Sequence, residues 1–281
     1  MLAILIFMMI KRNLVPYIIP FISAYLLINP FAISMSLQNS TIWYITCISI
    51  IIYLIFKDNI VKNNLHYLLF TIVGMLTSYM DFLTYPIATL GMLLVIVFIA
   101  EDLSFKNAIK RILTCGICWT LGYGIMWGAK WILATQIIGK DVLKNALDAA
   151  VYRSSNTMLG AEDFLRMDAL KSAFNVYDSG ILNFIIVINL IICIFIALFN
   201  KKEYKIKELL RRVVLALPVL SIGLMPIVWY LVLSNHTMKH PFLSYRTAVV
   251  LWFAVLAALF KISTSNNENE KQEVIEKTEN K

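Results

Sequence analysis

The chain has 281 residues, 60% of them hydrophobic and 15% charged, with a mean hydropathy of +0.76. That composition excludes an ordinary soluble domain, in which about 25% of residues are charged. A net charge of +8 does not point to nucleic acid. No basic stripe alternates with exposed aromatics, and the cations sit at the ends of apolar runs, where they face anionic lipid headgroups.

Residues 1–10 are apolar and are followed by Lys11 and Arg12. Ten residues are too few to cross a hydrocarbon core, which takes about 20. A signal peptide carries its charges before its apolar run, not after it. The stretch reads as the cytoplasmic end of a helix whose first half is missing, or as an interfacial anchor. Eight longer apolar stretches follow, at 14–36, 41–57, 66–80, 84–100, 112–135, 181–200, 213–234 and 245–262. The expected fold is therefore all-α: a polytopic transmembrane helical bundle of about eight spans covering 1–262. An outer amphipathic helical insertion lies at about 136–180, and a disordered cytoplasmic tail at 263–281, rich in Asn, Glu and Lys.

Lysine and arginine fall mainly in every second connection. With both termini cytoplasmic, the inner connections hold 17 of the 25. The basic connector 201–212 is the strongest of them. Most of the outer cations lie in or beside the long 130–180 segment, where the positive-inside rule is weakest, so the short loops set the orientation. A multi-pass protein of a cell membrane is expected, with lipid as its first partner.

Within the insertion, Val142, Leu143, Ala146, Leu147, Ala150 and Val151 recur at helical spacing. A second helix is predicted over 161–174, with Glu162 and Asp163 in its first turn and Phe164, Met167, Leu170 and Phe174 along one side. Two such helices would either roof a cavity or rest on lipid. The four cysteines fall inside apolar stretches, so the Cys115–Cys118 pair reads as packing rather than redox chemistry. His66, His236 and His240 have no accompanying Cys or carboxylate run, and no metal site is expected. Asn39 and Asn235 match the glycosylation sequon, a three-residue pattern that arises easily by chance. No phosphate-binding glycine loop or nucleotide fingerprint is present, which argues against an ATP-driven step within the chain.

Three segments carry candidate chemistry. The first is 77–86, Thr-Ser-Tyr-Met-Asp-Phe-Leu-Thr-Tyr-Pro. It joins two short arms, so its tip should lie at or below the outer interface. Asp81 is the only acid there, and a carboxylate at that depth is costly unless it faces water, a partner or a ligand. A solvated turn aspartate ahead of a proline-started helix explains it equally well. The second segment, 234–246, gathers His236, Lys239, His240, Tyr245 and Arg246, donors suited to a phosphate. Arg246 alone is more simply a snorkelling side chain. The third runs from Trp119 to Trp131. Gly124 and Gly128 would permit close helix approach, and Lys130, with Arg153, would hold a lipid phosphate or snorkel.

Asn29-Pro-Phe, the stretch 74–86 with Thr89-Leu-Gly, the stretch 122–131, and Asn235-His-Thr with Tyr245-Arg246 together resemble a group of bacterial multispan proteins. That group is similar to the GT-C glycosyltransferase superfamily, whose members take sugar from a polyprenyl-phosphate carrier. The resemblance covers roughly 20–250. It implies a lipid-linked sugar donor as substrate, a glycan acceptor, and no further cofactor. One departure stands out: GT-C enzymes carry a catalytic acid in the first large outer loop, and the first outer connection here, 37–40, contains none. The resemblance thus implies a C-terminal portion of a longer member.

On this reading Asp81 is the general base, or positions the acceptor, and Tyr79, Tyr85, Lys130, Arg153, His236, His240, Tyr245 and Arg246 form the substrate-binding set. Two alternatives stay open. One is a transporter or lipid flippase, against which the nearly charge-free span centres argue. The other is a non-catalytic or truncated membrane subunit.

Overall fold

The computed structural model describes residues 1–34, 36–81, 83–101, 103–157, 163–177, 180–199 and 206–264. Every regular element among them is helical. Glu162, residues 201–205 of the basic connector and the tail beyond Thr264 lie outside the described residues.

Four apolar stretches are long enough to cross a membrane: Asn39–Lys62, Phe105–Ile138, Leu210–Val232 and Pro241–Ser263. They coincide with four of the eight expected spans. The first expected span, 14–36, is not continuous. After α1 (Leu2–Lys11), a short turn around Pro16 leads into α2 (Ile18–Leu26). Asn29 then takes a left-handed backbone, φ +58°, and Pro30 opens the short α3 (Pro30–Ser34). A proline lacks the N–H that would continue the ladder, so the chain turns there instead of running through. α4 (Leu37–Lys62) follows at 26 residues.

α5 (His66–Met80) and α6 (Ile87–Glu101) form a hairpin of two 15-residue arms. Each arm is about 22 Å long, short of a 30 Å hydrocarbon core. α6 is buried on nearly every face, so its continuous apolar sequence reports a central position. α7 (Phe105–Ile138) is the longest helix, at 34 residues, and among the least covered. It runs beside α5. Gly74 and Gly122 make that contact: a Cβ at Gly74 would run into the Trp119 carbonyl, and one at Gly122 into the Thr71 carbonyl. Gly124 and Gly128, the expected approach points, have open space around them. The sequence displays all four glycines alike; only the rotation of α7 separates them.

The insertion contains α8 (Val142–Arg153) and α9 (Arg166–Asn175). α8 starts at Asp141, whose carboxylate accepts the Lys144 N–H at 2.9 Å. α9 begins at Arg166, not 161. Asp168 sits in its first turn and accepts the Leu165 N–H at 3.1 Å, taking the place expected for Glu162 and Asp163. The face α9 buries is Ala169 and Ala173, while Met167 is exposed.

α10 (Gly180–Phe199), α11 (Ile206–Ile222), α12 (Met225–Val232), α13 (Ser234–Lys239), α14 (Pro241–Ser244) and α15 (Val249–Thr264) complete the chain. α15 packs on α2, α6 and α11. There Phe253 meets Phe21 edge-on at 5.5 Å, and Tyr25 meets Trp43 of α4 at 4.3 Å.

One buried polar network ties four helices together at the end of the α5–α6 hairpin remote from Asp81. Glu101 accepts from Tyr53 at 2.9 Å, from His66 Nε2 at 2.5 Å and from Arg111 at 3.3 Å. Arg111 also donates to His66 Nδ1 at 2.7 Å, so the imidazole carries its proton on Nε2. The carboxylate is 3% exposed. Nearby, Arg12 clamps the end of α1 to α4 through the Leu54 carbonyl and Asp58.

Candidate functional site

The opposite end of the hairpin holds most of the residues singled out from the sequence. Asp81 caps α5, its N–H bonded to the Thr77 carbonyl at 2.8 Å. Its Oδ1 accepts the Thr84 N–H at 3.1 Å and the Thr84 hydroxyl at 2.5 Å. The carboxylate thus reaches forward three residues onto its own chain. Leu83 lies in the left-handed region, φ +64°, a costly backbone for a γ-branched residue. Its carbonyl accepts a hydrogen bond from His236 Nε2 at 2.8 Å. The Asp81 turn and the 234–246 segment, 153 residues apart in sequence, therefore touch.

Beneath the turn a buried chain of hydroxyls fixes its base. Thr77 and Thr89 share a 2.8 Å hydrogen bond, and the Trp119 indole donates to Thr89 at 3.0 Å. Tyr85 is fully buried and donates to the Asn39 carbonyl at 2.6 Å. Asp81 and Arg246 both lie within electrostatic reach of the Tyr85 hydroxyl. Asp81 also acts on Lys130 and Tyr123.

The cations are held by backbone carbonyls. Lys130 donates to Ser78 O at 2.6 Å, and Arg246 donates through Nη1 to Phe242 O at 2.6 Å. Arg246 is only 5% exposed, and its guanidinium lies 5.0 Å from the centre of the Tyr245 ring. Its Nε has no partner. Neither Lys130 nor Arg246 forms an ion pair among the described residues. Since charges removed from water are normally paired, this end of the molecule suits an added anion. Further buried polar atoms there lack a partner among the described residues, among them the hydroxyls of Ser78, Thr237, Ser244 and Thr247 and the indole N–H of Trp131.

His236 is buried, and its pKa is pushed down to about 4 from an ordinary 6.5. Burial is the main cause, with Arg153 and His240 adding repulsion, while the Leu83 bond opposes the shift. The ring is therefore neutral near pH 7. His240 stacks obliquely at 5.1 Å, between α13 and α14. Tyr245 is structural: its hydroxyl donates to Ile28 O at 3.1 Å, and its carbonyl accepts from Tyr177 and Tyr230, each at 3.2 Å. Tyr79 is not brought in; it is 60% exposed.

α13 is also the anchor of the insertion. Ser234 donates to Ser155 O at 2.8 Å, Asn235 to Thr157 O, and Lys239 to the Tyr152 hydroxyl at 2.5 Å. Arg166 bridges Leu231 O and Ser154 O. Asn235 and Asn39 are both buried, a poor setting for a glycan. With the insertion so pinned, α8 stands off α7 and leaves a cleft of about 300 Å³. Trp127, Trp131, Leu83 and Leu233 form one side, and Ala146, Ala150 and Arg153 the other. The α8 face in use is thus 142, 145, 146, 149, 150 and 153, while Leu147 and Val151 point outward. The expected apolar stripe was turned by about one residue.

A second groove of about 550 Å³ continues along α7, between Gly116–Leu121 and α11–α12, and is almost wholly apolar. Leu121 and Trp127 are about 9 Å apart along the helix, so groove and cleft follow one another. Sequence reading missed Trp127 and Leu83 as cleft walls, and missed Thr84 as the Asp81 partner. The Asp-x-x-Thr spacing was the available signal for Thr84.

No family model, curated protein or solved structure matches this chain.

Proposed function

We propose that this chain is a multi-pass membrane protein that handles a phosphate-linked lipid at its Asp81 end, in the manner of a glycosyltransferase acting on the outer face. In this reading α2, α5, α6 and α10 join the four long apolar helices in the bilayer, giving about eight membrane segments. The termini are cytoplasmic, and α8 and α9 lie at the outer surface. The observation that carries it is the meeting of the Asp81 turn with the cation-bearing 234–246 segment through His236 and Leu83.

The apolar groove beside α7 would hold the lipid chain, and the cleft above it the phosphate, near Arg153 and Lys130. The acceptor hydroxyl would give its proton to Asp81 as its oxygen bonds to the anomeric carbon. The bond from that carbon to the phosphate oxygen breaks, its electron pair staying on the phosphate. Arg153, Lys130 and Arg246 offset the charge that develops there. Thr84 orients the base through its two hydrogen bonds. One observation favours a second reading, a non-catalytic membrane subunit: the same two bonds are those of an ordinary turn-forming aspartate.

The test is sugar transfer in membranes containing or lacking the protein. Asp81→Asn at normal protein level abolishes the protein-dependent glycan product under the first reading. Unchanged product with Asp81→Asn removes Asp81 from the reaction and favours the second.

A further inference from the structure

The Glu101 end of the molecule has a cavity of its own. It measures about 190 Å³ and lies between the start of α5 and the first turns of α7, walled by Asn64, Tyr67, Leu103, Asn107, Lys110, Arg111 and Thr114. Unlike the Trp127 cleft and the α7 groove, its wall is mainly polar. No acid among the described residues lines it; Glu101 lies behind Arg111, covered by Tyr53 and His66. The Thr114 hydroxyl is turned back onto the Lys110 carbonyl at 2.8 Å. The side chains of Asn64, Tyr67, Asn107 and Lys110 make no hydrogen bond or ion pair among the described residues.

Arg111 gives this cavity its character. One edge of the guanidinium is fixed by His66 and Glu101. A guanidinium has five N–H donors, so others remain, already oriented, for a group in the cavity. An ammonium, an oriented guanidinium, two amides and a phenol, with no carboxylate among the described residues of the wall, are the donor set of a phosphate site. Lys110 and Lys130 stand about 30 Å apart along α7, the thickness of a hydrocarbon core. The cavity therefore sits at headgroup level when the Asp81 end sits at the other interface.

We propose that this cavity binds a phosphate group, held by Lys110 and Arg111 and positioned by Asn107, Asn64 and Tyr67. Its source is an anionic lipid headgroup of the leaflet opposite the Asp81 end, or a free phosphate. The inference does not depend on the reaction proposed above. Occupancy would hold Arg111 from its second side and so stiffen the junction of α4, α5, α6 and α7.

The full-length protein in neutral detergent, followed by thermal unfolding, tests it with three probes: phosphatidylglycerol in mixed micelles, phosphatidylcholine in mixed micelles, and inorganic phosphate. Phosphatidylglycerol raises the midpoint by several degrees and phosphatidylcholine does not. Inorganic phosphate matching that effect also supports the site and makes its source a free anion. Lys110→Gln weakens the dependence on phosphatidylglycerol about fivefold, the contribution of one cation near a lipid surface. Asn107→Leu removes no charge and weakens it too, whereas Lys106→Gln, outside the wall, leaves it at the wild-type value. Equal losses from Lys106→Gln and Lys110→Gln, with none from Asn107→Leu, overturn the proposal in favour of diffuse surface attraction. So does the absence of any response to phosphatidylglycerol and phosphate alike.

Discussion

Each end of the α5–α6 hairpin holds a carboxylate near cations, Glu101 at one and Asp81 at the other, and the two are treated differently. At the Glu101 end the charges find one another: Arg111 closes on Glu101, with His66 hydrogen-bonded to both, and Tyr53 completes the set. At the Asp81 end the cations find the backbone instead: Lys130 holds Ser78 O and Arg246 holds Phe242 O, while the neutral His236 ring holds Leu83 O. Closing a buried network gives a clamp, because removing any member strands the others. Fixing cations on carbonyls leaves their charge uncancelled and their position rigid, which is what an anionic substrate requires.

If that contrast is right, the largest loss of stability comes from the clamp. Glu101→Ala leaves the part-buried Arg111 guanidinium and the buried His66 ring without their carboxylate and costs about 3 kcal/mol, read as a collapse of the unfolding midpoint in detergent. Gly122→Leu comes next: the Thr71 carbonyl blocks the new side chain, with an overpacking cost of about 1–3 kcal/mol or more. Gly124→Leu and Gly128→Leu, in open space, keep the yield and monodispersity of the parent.

At the other end, substitutions should cost function before stability. Under the proposed sugar transfer, Arg246→Gln abolishes the glycan product while the unfolding midpoint drops little, since the guanidinium has no carboxylate among the described residues to abandon. A midpoint loss as large as that of Glu101→Ala would erase the contrast. pH probes the same end more gently. The folded pKa of His236, about 4, is below its ordinary 6.5. The unfolded chain therefore binds the extra proton first, and stability is full above about pH 6.5 and declines as pH falls towards about 4. His236→Asn flattens that decline in thermal melts at graded pH. The smallest effect belongs to Tyr79→Phe, which leaves both product and midpoint unchanged.

Much of the fold is readable from hydropathy because apolar length and charge placement are local properties. The four long stretches emerge that way, and so does the helical spacing from Val142 to Val151; the Asp141 start came only from the structure. The break at Asn29-Pro30 was written in the residues but hidden by the apolarity around it. The Glu101 network was not legible: Tyr53, His66, Glu101 and Arg111 belong to four helices, and no spacing links them. For the candidate site, sequence supplied the residue types, including Tyr79, which the structure leaves exposed. It did not supply Leu83, whose role is a carbonyl aimed by its own strained backbone.

Composition and periodicity alone made this an all-helical chain with several segments fit for lipid, because a backbone in hydrocarbon must satisfy its own hydrogen bonds. Only the tertiary structure decided which of two carboxylates is closed off and which glycines touch a neighbouring helix. It also brought His236 to the turn after Asp81. Those outcomes depend on helix rotation and on contacts between distant segments, and a linear pattern does not carry either.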